Sequence, residues 1–242
     1  MKTVLVIAGF DSGCGAGAAR DLAVLSTLGC AARVALTAVT AQTDRGVTAC
    51  QFVAPALLSA QIAAAFDAGP IDAVKIGMLG DAGSVAAVAA ALPRGIPVVL
   101  DPVLAASSGA CLLDAPGRHA LVATLMPLAT VVTPNLPEAA LLTGRPPARD
   151  EPERVRQAKT LLALGAGAVL LKGGHDDGRD ACDWLFSAGG LLTLRSPRQH
   201  RGRRGTGCTF ATAIAAALAN GAPLDRAAQD AKAITATYIA GR

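Results

Sequence analysis

The sequence predicts a three-layer α/β fold, with a central, mostly parallel sheet flanked by helices. Short apolar runs at residues 4–7, 98–100 and 131–132 indicate buried strands. These strands alternate with longer segments of helical spacing, such as residues 18–28, and that alternation is typical of a parallel sheet covered by helices. No stretch rich in proline, serine or charge divides the chain, so we expect one domain over residues 1–242.

The individual elements can be placed in chain order. Strands are expected at about residues 4–7, 33–38, 74–76, 98–100, 131–132 and 168–171, with a hairpin formed by 185–186 and 191–194. Helices are expected at about 18–28, 55–65, 82–91, 136–142, 153–164 and 224–240, and another leads from the 205–208 turn to residue 220. Pro55 suits a first helical turn, and Asp81 is expected to cap the helix that follows it.

Composition argues against several classes of function. The formal net charge of +4 is too small to argue for a nucleic-acid or membrane partner. The uncharged run at residues 120–137 is interrupted by Pro127 and Pro134 and does not predict a membrane span. The six cysteines show neither a C-x-x-C pair nor metal-type spacing, so we expect reduced thiols and a cytoplasmic protein.

A glycine-rich turn precedes the penultimate predicted helix, in the segment Arg204-Gly205-Thr206-Gly207-Cys208-Thr209. Amide N–H groups in the first turn of a helix have no intrahelical acceptor, and the helix dipole adds partial positive charge there. Glycine also lets the backbone approach a ligand closely. Residues 205–208 therefore predict an anion site, most commonly for phosphate, although a tight turn with a buried cysteine has the same pattern.

Polar or otherwise unusual residues follow six of the predicted strands. They are Asp11, Gln42, Met78, Asp101, Asn135 and Lys172. In open α/β sheets, ligands bind beyond the carboxyl ends of the strands. These positions together indicate a ligand site at that edge more strongly than any one of them does alone.

Two known nucleotide-binding patterns fit the sequence poorly. Gly13-x-Gly15-x-x-Ala18 matches the dinucleotide fingerprint formally, but its glycines start well after the first strand, and no acidic residue closes the second strand. No G-x-x-x-x-G-K-[S/T] segment occurs, which excludes a P-loop. The predicted phosphate site is therefore of another kind.

The segment Asn135-Leu-Pro-Glu138 has two interpretations. The carboxylate of Glu138 could help to hold a hydrated Mg²⁺, which takes few direct protein ligands, but the same spacing suits a capping box. Asp101 has no evident structural partner in the sequence, which favours a metal or phosphate role. Lys172 precedes two glycines and could place its ammonium group on a nucleotide phosphate.

A series of short motifs matches one known family in order along almost the whole chain. They are Ala8-Gly9-x-Asp11-Ser12 with Gly15-Ala16-Gly17 and Asp21-Leu22, Leu36-Thr37-Ala38 with Ala41-Gln42-Thr43, Lys75-Ile-Gly-Met-Leu79, Leu100-Asp-Pro-Val103, Ser108-Gly109, Thr133-Pro-Asn-Leu-Pro-Glu138, Leu171-Lys-Gly-Gly-His175, Asp183-Trp-Leu-Phe186 and Gly205-Thr-Gly-Cys-Thr209. On these residues the chain resembles the hydroxymethylpyrimidine/phosphomethylpyrimidine kinases of thiamine biosynthesis, which have a ribokinase-like fold.

The resemblance implies a kinase that uses ATP and Mg²⁺ to phosphorylate 4-amino-5-hydroxymethyl-2-methylpyrimidine and its monophosphate, and that forms a homodimer. Its implied substrate-binding residues are Gly9, Asp11, Ala16, Asp21, Thr40, Gln42 and Met78. The implied ATP contacts are Asn135, Lys172 and Thr206, and the implied Mg²⁺ residues are Asp101 and Glu138. The implied catalytic residues are Gly205, Thr206, Gly207, Cys208 and Lys172, with Cys208 in the position of the base.

The chemistry of a thiol at this position agrees with the implied role. A thiol at a helix N-terminus is expected to have a lowered pKa and can accept a hydroxyl proton. A phosphate acceptor, by contrast, is largely ionised near neutral pH and scarcely needs a base. We therefore expect Cys208 to matter more for the alcohol acceptor than for the phosphate acceptor.

Two residues depart from the pattern of the family. Phe10 stands where the family usually has Ser or Thr, and Arg204 stands where it usually has His. The arginine-rich stretch before the turn receives no specific role. Two alternatives stay open. One is a pyridoxal kinase on the same scaffold, since pyridoxal is also a hydroxymethyl heteroaromatic ring of similar size. The other, which Phe10 motivates, is a catalytically silent paralogue that binds a pyrimidine.

Overall fold

Nine strands form one sheet in the computed structural model, which describes residues 1–106, 109–174, 180–199 and 202–241. They are β1 (Thr3–Asp11), β2 (Ala31–Thr43), β3 (Gly46–Phe52), β4 (Ala73–Ile76), β5 (Val98–Leu100), β6 (Val131–Val132), β7 (Val169–Lys172), β8 (Asp180–Ser187) and β9 (Gly190–Pro197). Their order across the sheet is β3-β2-β1-β4-β5-β6-β7-β8-β9. The neighbouring strands β2-β1-β4-β5-β6-β7 pair in parallel. β3 at one edge, and β8 and β9 at the other, are antiparallel to their neighbours. The mostly parallel sheet and the 185–194 hairpin are confirmed; the motif residues Ser108 and His175 lie outside the described residues.

Helices cover both faces of this sheet. They are α1 (Gly17–Thr27), α2 (Pro55–Asp67), α3 (Ala82–Ala91), α4 (Ala115–Ala120), α5 (Leu136–Thr143), α6 (Glu151–Ala163), α7 (Thr206–Ala219) and α8 (Leu224–Ile239). Residues of α1, α7 and α8 pack in the core on one face, and residues of α2, α3, α5 and α6 pack in the core on the other. The predicted three layers are therefore confirmed. Within the described ranges, no helix has the length and apolar character needed to cross a bilayer.

Alternation along β1 explains how one strand serves two cores. Val4, Val6 and Ala8 belong to the core that includes α1, α7 and α8, whereas Leu5 and Ile7 belong to the other core. Successive side chains of a strand point to opposite faces of a sheet. A continuous apolar run therefore satisfies both faces at once, as expected of a parallel strand covered on both sides.

The sequence analysis missed β3 and the full length of β2. β2 continues to Thr43 rather than ending near residue 38, and β3 returns antiparallel beside its second half. Most side chains of β3 are exposed at this edge of the sheet, so the segment lacks the apolar run of a buried strand. As a result, Gln42 lies within an edge hairpin rather than just beyond a strand end.

Aspartate side chains cap the N-termini of α3 and α4. The carboxylate of Asp81 accepts a hydrogen bond from the Ser84 backbone N–H at 2.7 Å, which confirms the predicted cap of α3. Asp114 caps α4 in the same way, through the backbone N–H of Gly117 at 2.7 Å. The sequence analysis did not predict α4, because Pro116 and Gly117 favour a loop when read locally.

Next to β1, the order in which the chain adds strands to the sheet switches from one side to the other. From β1 it passes to β2 on one side, and after the β2–β3 hairpin it continues into β4 on the other side. Such a switch point leaves a crevice at the carboxyl ends of the strands, where ligands bind in open α/β sheets.

Arg33 in β2 ties the sheet to the end of α2. Its guanidinium donates to the carbonyl oxygens of Ala65, Ala68 and Gly69 at distances between 2.5 and 2.7 Å. The last carbonyl groups of a helix have no intrahelical donor and interact favourably with a cation. Arg33 therefore acts as a charged cap for α2.

Arg33→Met is expected to lower the free energy of unfolding by about 1–3 kcal/mol, because three carbonyl groups lose a charged donor. Thermal and urea unfolding measure the change. Arg94→Met is the matched control, since Arg94 is exposed and has no side-chain hydrogen bond to any part of the chain that the structure describes. Similar losses in the two variants would contradict the capping role.

Candidate active site

A cleft of roughly 700 Å³ lies at the carboxyl ends of the central strands. This volume falls within the range of pockets that bind small molecules. The sequence-predicted residues that line it are Gly9, Asp11, Ala16, Thr40, Gln42, Met78, Asp101, Asn135, Glu138, Lys172, Gly205, Thr206, Gly207 and Cys208. The structure thus brings together the strand ends and the turn before α7, and it leaves Asp21 outside the wall of the cleft.

The turn before α7 brings its backbone against two neighbouring segments. Gly205 has a left-handed φ of 73°, and a Cβ at this position would collide with the carbonyl oxygen of Gly15. A Cβ on Gly207 would lie 3.3 Å from Nζ of Lys172 and 3.6 Å from Oδ2 of Asp101. The first-turn amides of α7, which have no intrahelical acceptors, therefore lie beside a lysine–aspartate pair.

The hydroxyl group of Thr206 already has an acceptor. It donates to the carbonyl oxygen of Arg203 at 2.6 Å. Thr206 therefore offers its backbone N–H, rather than its hydroxyl hydrogen, to an anion in the cleft. This arrangement refines the predicted ATP contact of Thr206, which the sequence could not assign to a particular atom.

Lys172 lies between two carboxylates in the cleft. Its Nζ is 2.7 Å from Oδ1 of Asp101 and 4.0 Å from Oε2 of Glu138, and the Thr133 hydroxyl donates to the same Asp101 oxygen at 3.2 Å. Burial alone lowers the pKa of Lys172, but the two carboxylates outweigh this effect and raise the pKa above its usual value. Lys172 is therefore a fixed cation at neutral pH. The expectation that Asp101 lacks a structural partner was wrong.

Glu138 forms a capping box with Asn135, which was one of the two interpretations of this segment. Its backbone N–H donates to Oδ1 of Asn135 at 2.7 Å, and its Oε2 accepts from the Asn135 backbone N–H at 2.8 Å. Burial raises the pKa of Glu138 to about 7, against the opposing influence of the Lys172 ammonium. Glu138 thus caps α5 and at the same time presents an acidic group to the cleft.

The acidic groups fit a hydrated Mg²⁺ better than a closed protein metal site. Within the described ranges of the chain, no three His, Cys, Asp or Glu side chains form a cluster that could hold a metal. Mg²⁺ that is shared with phosphate groups takes only one or two carboxylates and keeps several waters. Asp101 places Oδ2 next to Gly207 in the first turn of α7, where such sharing would be possible. Asp101 and Glu138 are therefore the residues that would hold the ion.

Cys208 is the third residue of α7 and lines the cleft. Burial raises the pKa of its thiol to about 11, although the ammonium group of Lys75 acts in the opposite direction. The expected lowering of this pKa was therefore wrong, because the loss of hydration on burial outweighs the influence of Lys75. The thiol is therefore protonated at neutral pH.

Lys75 and Asp21 form a fully buried ion pair. Nζ of Lys75 is 2.7 Å from Oδ2 of Asp21, both side chains are 0 % exposed, and the Thr212 hydroxyl donates to the other Asp21 oxygen at 2.7 Å. Asp21 was predicted to bind substrate, but its carboxylate is directed to Lys75, and Lys75 is the member of the pair that lies next to the cleft, behind the residues exposed in it. The sequence analysis assigned no role to Lys75, although a lysine within the apolar strand β4 was an available signal.

Asp11 organises the glycine-rich loop after β1. Its carboxylate accepts hydrogen bonds from the backbone N–H groups of Gly13, Gly15 and Ala16 at 2.9 to 3.0 Å. It also forms an ion pair with Arg204. The amides of this loop thus bind an internal carboxylate rather than a dinucleotide phosphate. Asp11 lines the cleft as predicted, but its bonds hold the protein together.

The other side of the cleft is lined by Gly9, Phe10, Thr40, Gln42 and Met78. A Cβ on Gly9 would lie 2.9 Å from Sδ of Met78, so the thioether packs directly on the glycine backbone. The Thr40 hydroxyl lies 3.4 Å from Oε1 of Gln42. Phe10 packs against the core that includes α1 and α7 while it also faces the cleft. A largely apolar surface with one amide suits a planar heteroaromatic ligand.

The family described as Phosphomethylpyrimidine kinase matches residues 11–242. The chain belongs to this family. A hydroxymethylpyrimidine/phosphomethylpyrimidine kinase of Rhizobium meliloti (strain 1021) is 49 % identical over 231 residues, which cover 95 % of this chain and 87 % of the relative. The resemblance found in the sequence is thus confirmed, and this family member is a phosphotransferase.

Solved structures agree with the family at the level of the fold. A phosphomethylpyrimidine kinase from Clostridium difficile 630 has a TM-score of 0.85 and 33 % identity, covering 100 % of this chain and 99 % of its own. The pyridoxal kinase from Staphylococcus aureus, in complex with AMP-PCP and pyridoxal, has a TM-score of 0.89 and 32 % identity, covering 99 % and 88 %. The fold of this family member is therefore ribokinase-like, as expected.

Lys75→Met is expected to lower the free energy of unfolding by about 3–5 kcal/mol, because it leaves the Asp21 carboxylate buried without its partner. Urea unfolding measures the loss. Adding Asp21→Asn to Lys75→Met should recover part of it, since the remaining buried group is then neutral.

Lys2→Met provides the matched control for this test. It breaks the exposed ion pair of Lys2 with Asp72, whose atoms are 2.7 Å apart. An exposed pair contributes at most about 1 kcal/mol. If Lys75→Met cost no more than Lys2→Met, or if the double variant were no more stable than Lys75→Met, the structural role of the buried pair would be refuted.

Proposed function

We propose that this protein transfers the terminal phosphoryl group of ATP to 4-amino-5-hydroxymethyl-2-methylpyrimidine and then to its monophosphate, in thiamine biosynthesis. The observation that carries the proposal is a single cleft in which Gly207 lies against Lys172 and Asp101 while Gly9, Gln42 and Met78 line another side. Donor phosphates and a heteroaromatic acceptor would thereby meet at the turn before α7. All six thiols are free, which supports the cytoplasm as the compartment.

The phosphate side of the cleft acts through charge and position. Phosphoryl transfer requires little covalent chemistry from the protein and depends on aligned reactants and neutralised charge. The first-turn amides of α7 and the Lys172 ammonium supply preorganised donors. Asn135 precedes α5 at the same edge and completes the proposed nucleotide contacts. When bound, Mg²⁺ would neutralise charge on the phosphates, and Asp101 and Glu138 would hold it.

Lys172 and Asp101 are paired with each other, and this pairing prepares both groups for ligands of opposite charge. Their atoms are 2.7 Å apart, and the Asp101 side chain is only 3 % exposed. A phosphate that approaches Gly207 would draw the Lys172 ammonium, and Asp101 would become available to a cation. The pair thus avoids an uncompensated buried charge before substrate arrives.

The acceptor side orients the ring and excludes water. Met78, packed on Gly9, offers a polarizable surface to a planar ring, and sulfur–aromatic contacts are favourable. The Gln42 amide can donate to a ring nitrogen while its oxygen accepts from an exocyclic amine. Such a set of contacts would direct the hydroxymethyl group towards the turn before α7.

Cys208 is the proposed acceptor of the hydroxyl proton. Its raised pKa of about 11 means that the thiolate is a strong base but represents only a small fraction of the protein at neutral pH. Lys75, which lowers this pKa, favours formation of the thiolate. The monophosphate acceptor attacks through an oxygen that is already ionised, so its reaction needs no thiolate.

A pyridoxal kinase activity is the second candidate, and one observation favours it. The Staphylococcus aureus kinase bound to AMP-PCP and pyridoxal has the same fold over 99 % of this chain at 32 % identity. Pyridoxal is also a hydroxymethyl heteroaromatic ring. The 49 % identity to the Rhizobium kinase favours the pyrimidine.

An ADP-release assay tests the function directly, with hydroxymethylpyrimidine, its monophosphate, pyridoxal and ribose as acceptors. Release is expected with the first two. Lys172→Met should lower the rate on both by about 100- to 1,000-fold, because it removes a preorganised charge at the transferred group. Release with pyridoxal alone would replace the proposal by the second candidate, and binding without release would show a silent paralogue.

Cys208→Ala should separate the two acceptors. We expect a loss of about 100-fold or more with the alcohol, the usual scale of general-base catalysis, and less than about tenfold with the monophosphate. Because the thiolate fraction grows tenfold per pH unit well below the pKa, the wild-type rate with the alcohol should rise between pH 7 and pH 9, and that of Cys208→Ala should not. Cys50→Ala, which removes an exposed thiol of β3, is the control. Equal losses on both acceptors would reject the base.

A further inference from the structure

We propose that Arg204 is a positioning residue. Acting as a latch, it joins the β2–β3 hairpin and the loop after β1 to the turn at residues 204–208, here called the phosphate turn. It thereby determines how tightly the acceptor is held. This inference rests on the proposed function for its substrate, although the latch itself is a property of the chain. The sequence analysis assigned Arg204 no role. The structure gives it contacts with three separate segments around the cleft.

The first contact of Arg204 is a buried anchor. Its Nη2 pairs with Oδ2 of Asp11, and the side chains of Arg204 and Asp11 are 17 % and 3 % exposed. The same carboxylate collects the backbone N–H groups of Gly13, Gly15 and Ala16. Arg204 therefore holds the loop through the group that organises it. Charge-assisted bonds of this kind are among the stronger ones in proteins, and this one is shielded from solvent.

The backbone of Arg204 is fixed as firmly as its side chain. The Tyr238 hydroxyl in α8 donates to the carbonyl oxygen of Arg204 at 2.7 Å. The Tyr238 ring is held in turn by the guanidinium groups of Arg20 and Arg203, 3.7 and 4.1 Å from its centroid. The next residue, Gly205, packs against the carbonyl of Gly15. The turn before α7 and the loop after β1 are therefore joined through Asp11 and through the contact of Gly205 with Gly15.

The second side-chain contact of Arg204 differs from the first, because it is open to solvent. Its Nη1 lies 3.2 Å from Oδ1 of Asp44, and the Asp44 side chain is 95 % exposed. Asp44 lies in the turn between β2 and β3, two residues after Gln42. Exposed ion pairs are weak and are screened by salt. This contact can therefore break and re-form while the Asp11 anchor holds Arg204 in place.

The hairpin carries part of the acceptor surface, so the latch affects the acceptor. Thr40 and Gln42 line the cleft from β2. Besides Arg204, the Ser12 hydroxyl restrains this segment by accepting from the Gln42 backbone N–H at 3.0 Å. Closing the Asp44 contact holds Gln42 in place over the cleft, and opening it lets the acceptor enter and leave. Arg204 thus acts through the hairpin rather than through the transferred phosphate.

A direct role of Arg204 as a cation for ATP is the competing explanation, and the two make different predictions. A phosphate contact would raise the KM for ATP in Arg204→Gln. If Arg204 is a latch, Arg204→Gln raises the KM for the neutral alcohol acceptor and leaves the KM for ATP within about twofold. Asp44→Asn changes the acceptor KM in the same direction, because either substitution weakens the same exposed ion pair.

The test measures both KM values for wild type, Arg204→Gln, Arg204→Lys and Asp44→Asn, with Arg45→Gln as the control. Arg45 is an exposed neighbour in the same turn, so its loss changes the charge of the hairpin without touching the latch. We expect the acceptor KM to rise about two- to fivefold in Asp44→Asn and further in Arg204→Gln. Arg204→Lys should raise the acceptor KM less than Arg204→Gln does, since lysine keeps the positive charge but lacks the planar guanidinium group with its several N–H donors. Raising the salt from low to high should increase the acceptor KM of wild type and not that of Asp44→Asn.

Hydrogen exchange gives a second readout that needs no activity. The backbone amides of residues 40–48 should exchange faster in Asp44→Asn and in Arg204→Gln than in wild type or Arg45→Gln. Unchanged exchange, or a raised KM for ATP alone, would overturn the latch. If wild type released no ADP with either pyrimidine acceptor, but residues 40–48 still exchanged faster in Asp44→Asn than in wild type, the proposed substrate would be overturned and the latch would stand. Asp44→Asn alters an exposed side chain, so it tests the latch even if Arg204→Gln does not fold.

Discussion

The closeness of one backbone turn to the ends of the parallel strands is the constraint on which the rest of the structure depends. Gly205 and Gly207 allow it, because a side chain at either position would press against Gly15 or the Lys172–Asp101 pair. The unpaired amides of α7 thereby reach the cleft at the switch point of the sheet. The buried strands fix one side of this contact and the two helices α7 and α8 fix the other. The fold therefore serves to hold a short peptide segment against a set of charged side chains.

Charge compensation is the second theme of the cleft. Lys75, Lys172 and Arg204 pair with Asp21, Asp101 and Asp11 respectively, each at a contact of hydrogen-bond length. Uncompensated charges at such depth would be costly, so each cation has a carboxylate partner. The three pairs differ in use: the first is wholly internal, the second lies at the proposed phosphate site, and the third joins two loops. Removing one partner is therefore expected to have a different effect in each of the three pairs.

The sequence predicted those parts of the molecule whose cause is local or periodic. Apolar runs located the buried strands, and the glycines at 205 and 207 located the turn, because both signals are written in neighbouring residues. It did not predict β3, whose side chains face solvent, or the roles of Lys75 and Arg204, whose partners are 54 and 193 residues away. It also predicted the wrong direction for the pKa of Cys208, since burial, which raises this pKa, depends on the folded structure. Long-range burial and pairing are what a linear pattern does not contain.

The most direct test of this account is a crystal structure of the protein with a non-hydrolysable ATP analogue, Mg²⁺ and hydroxymethylpyrimidine. The account predicts that the terminal phosphate lies within hydrogen-bond distance of the backbone N–H groups of Gly207 and Cys208, with the acceptor hydroxyl next to the Cys208 thiol. A terminal phosphate bound elsewhere in the cleft, out of reach of these amides, would contradict it.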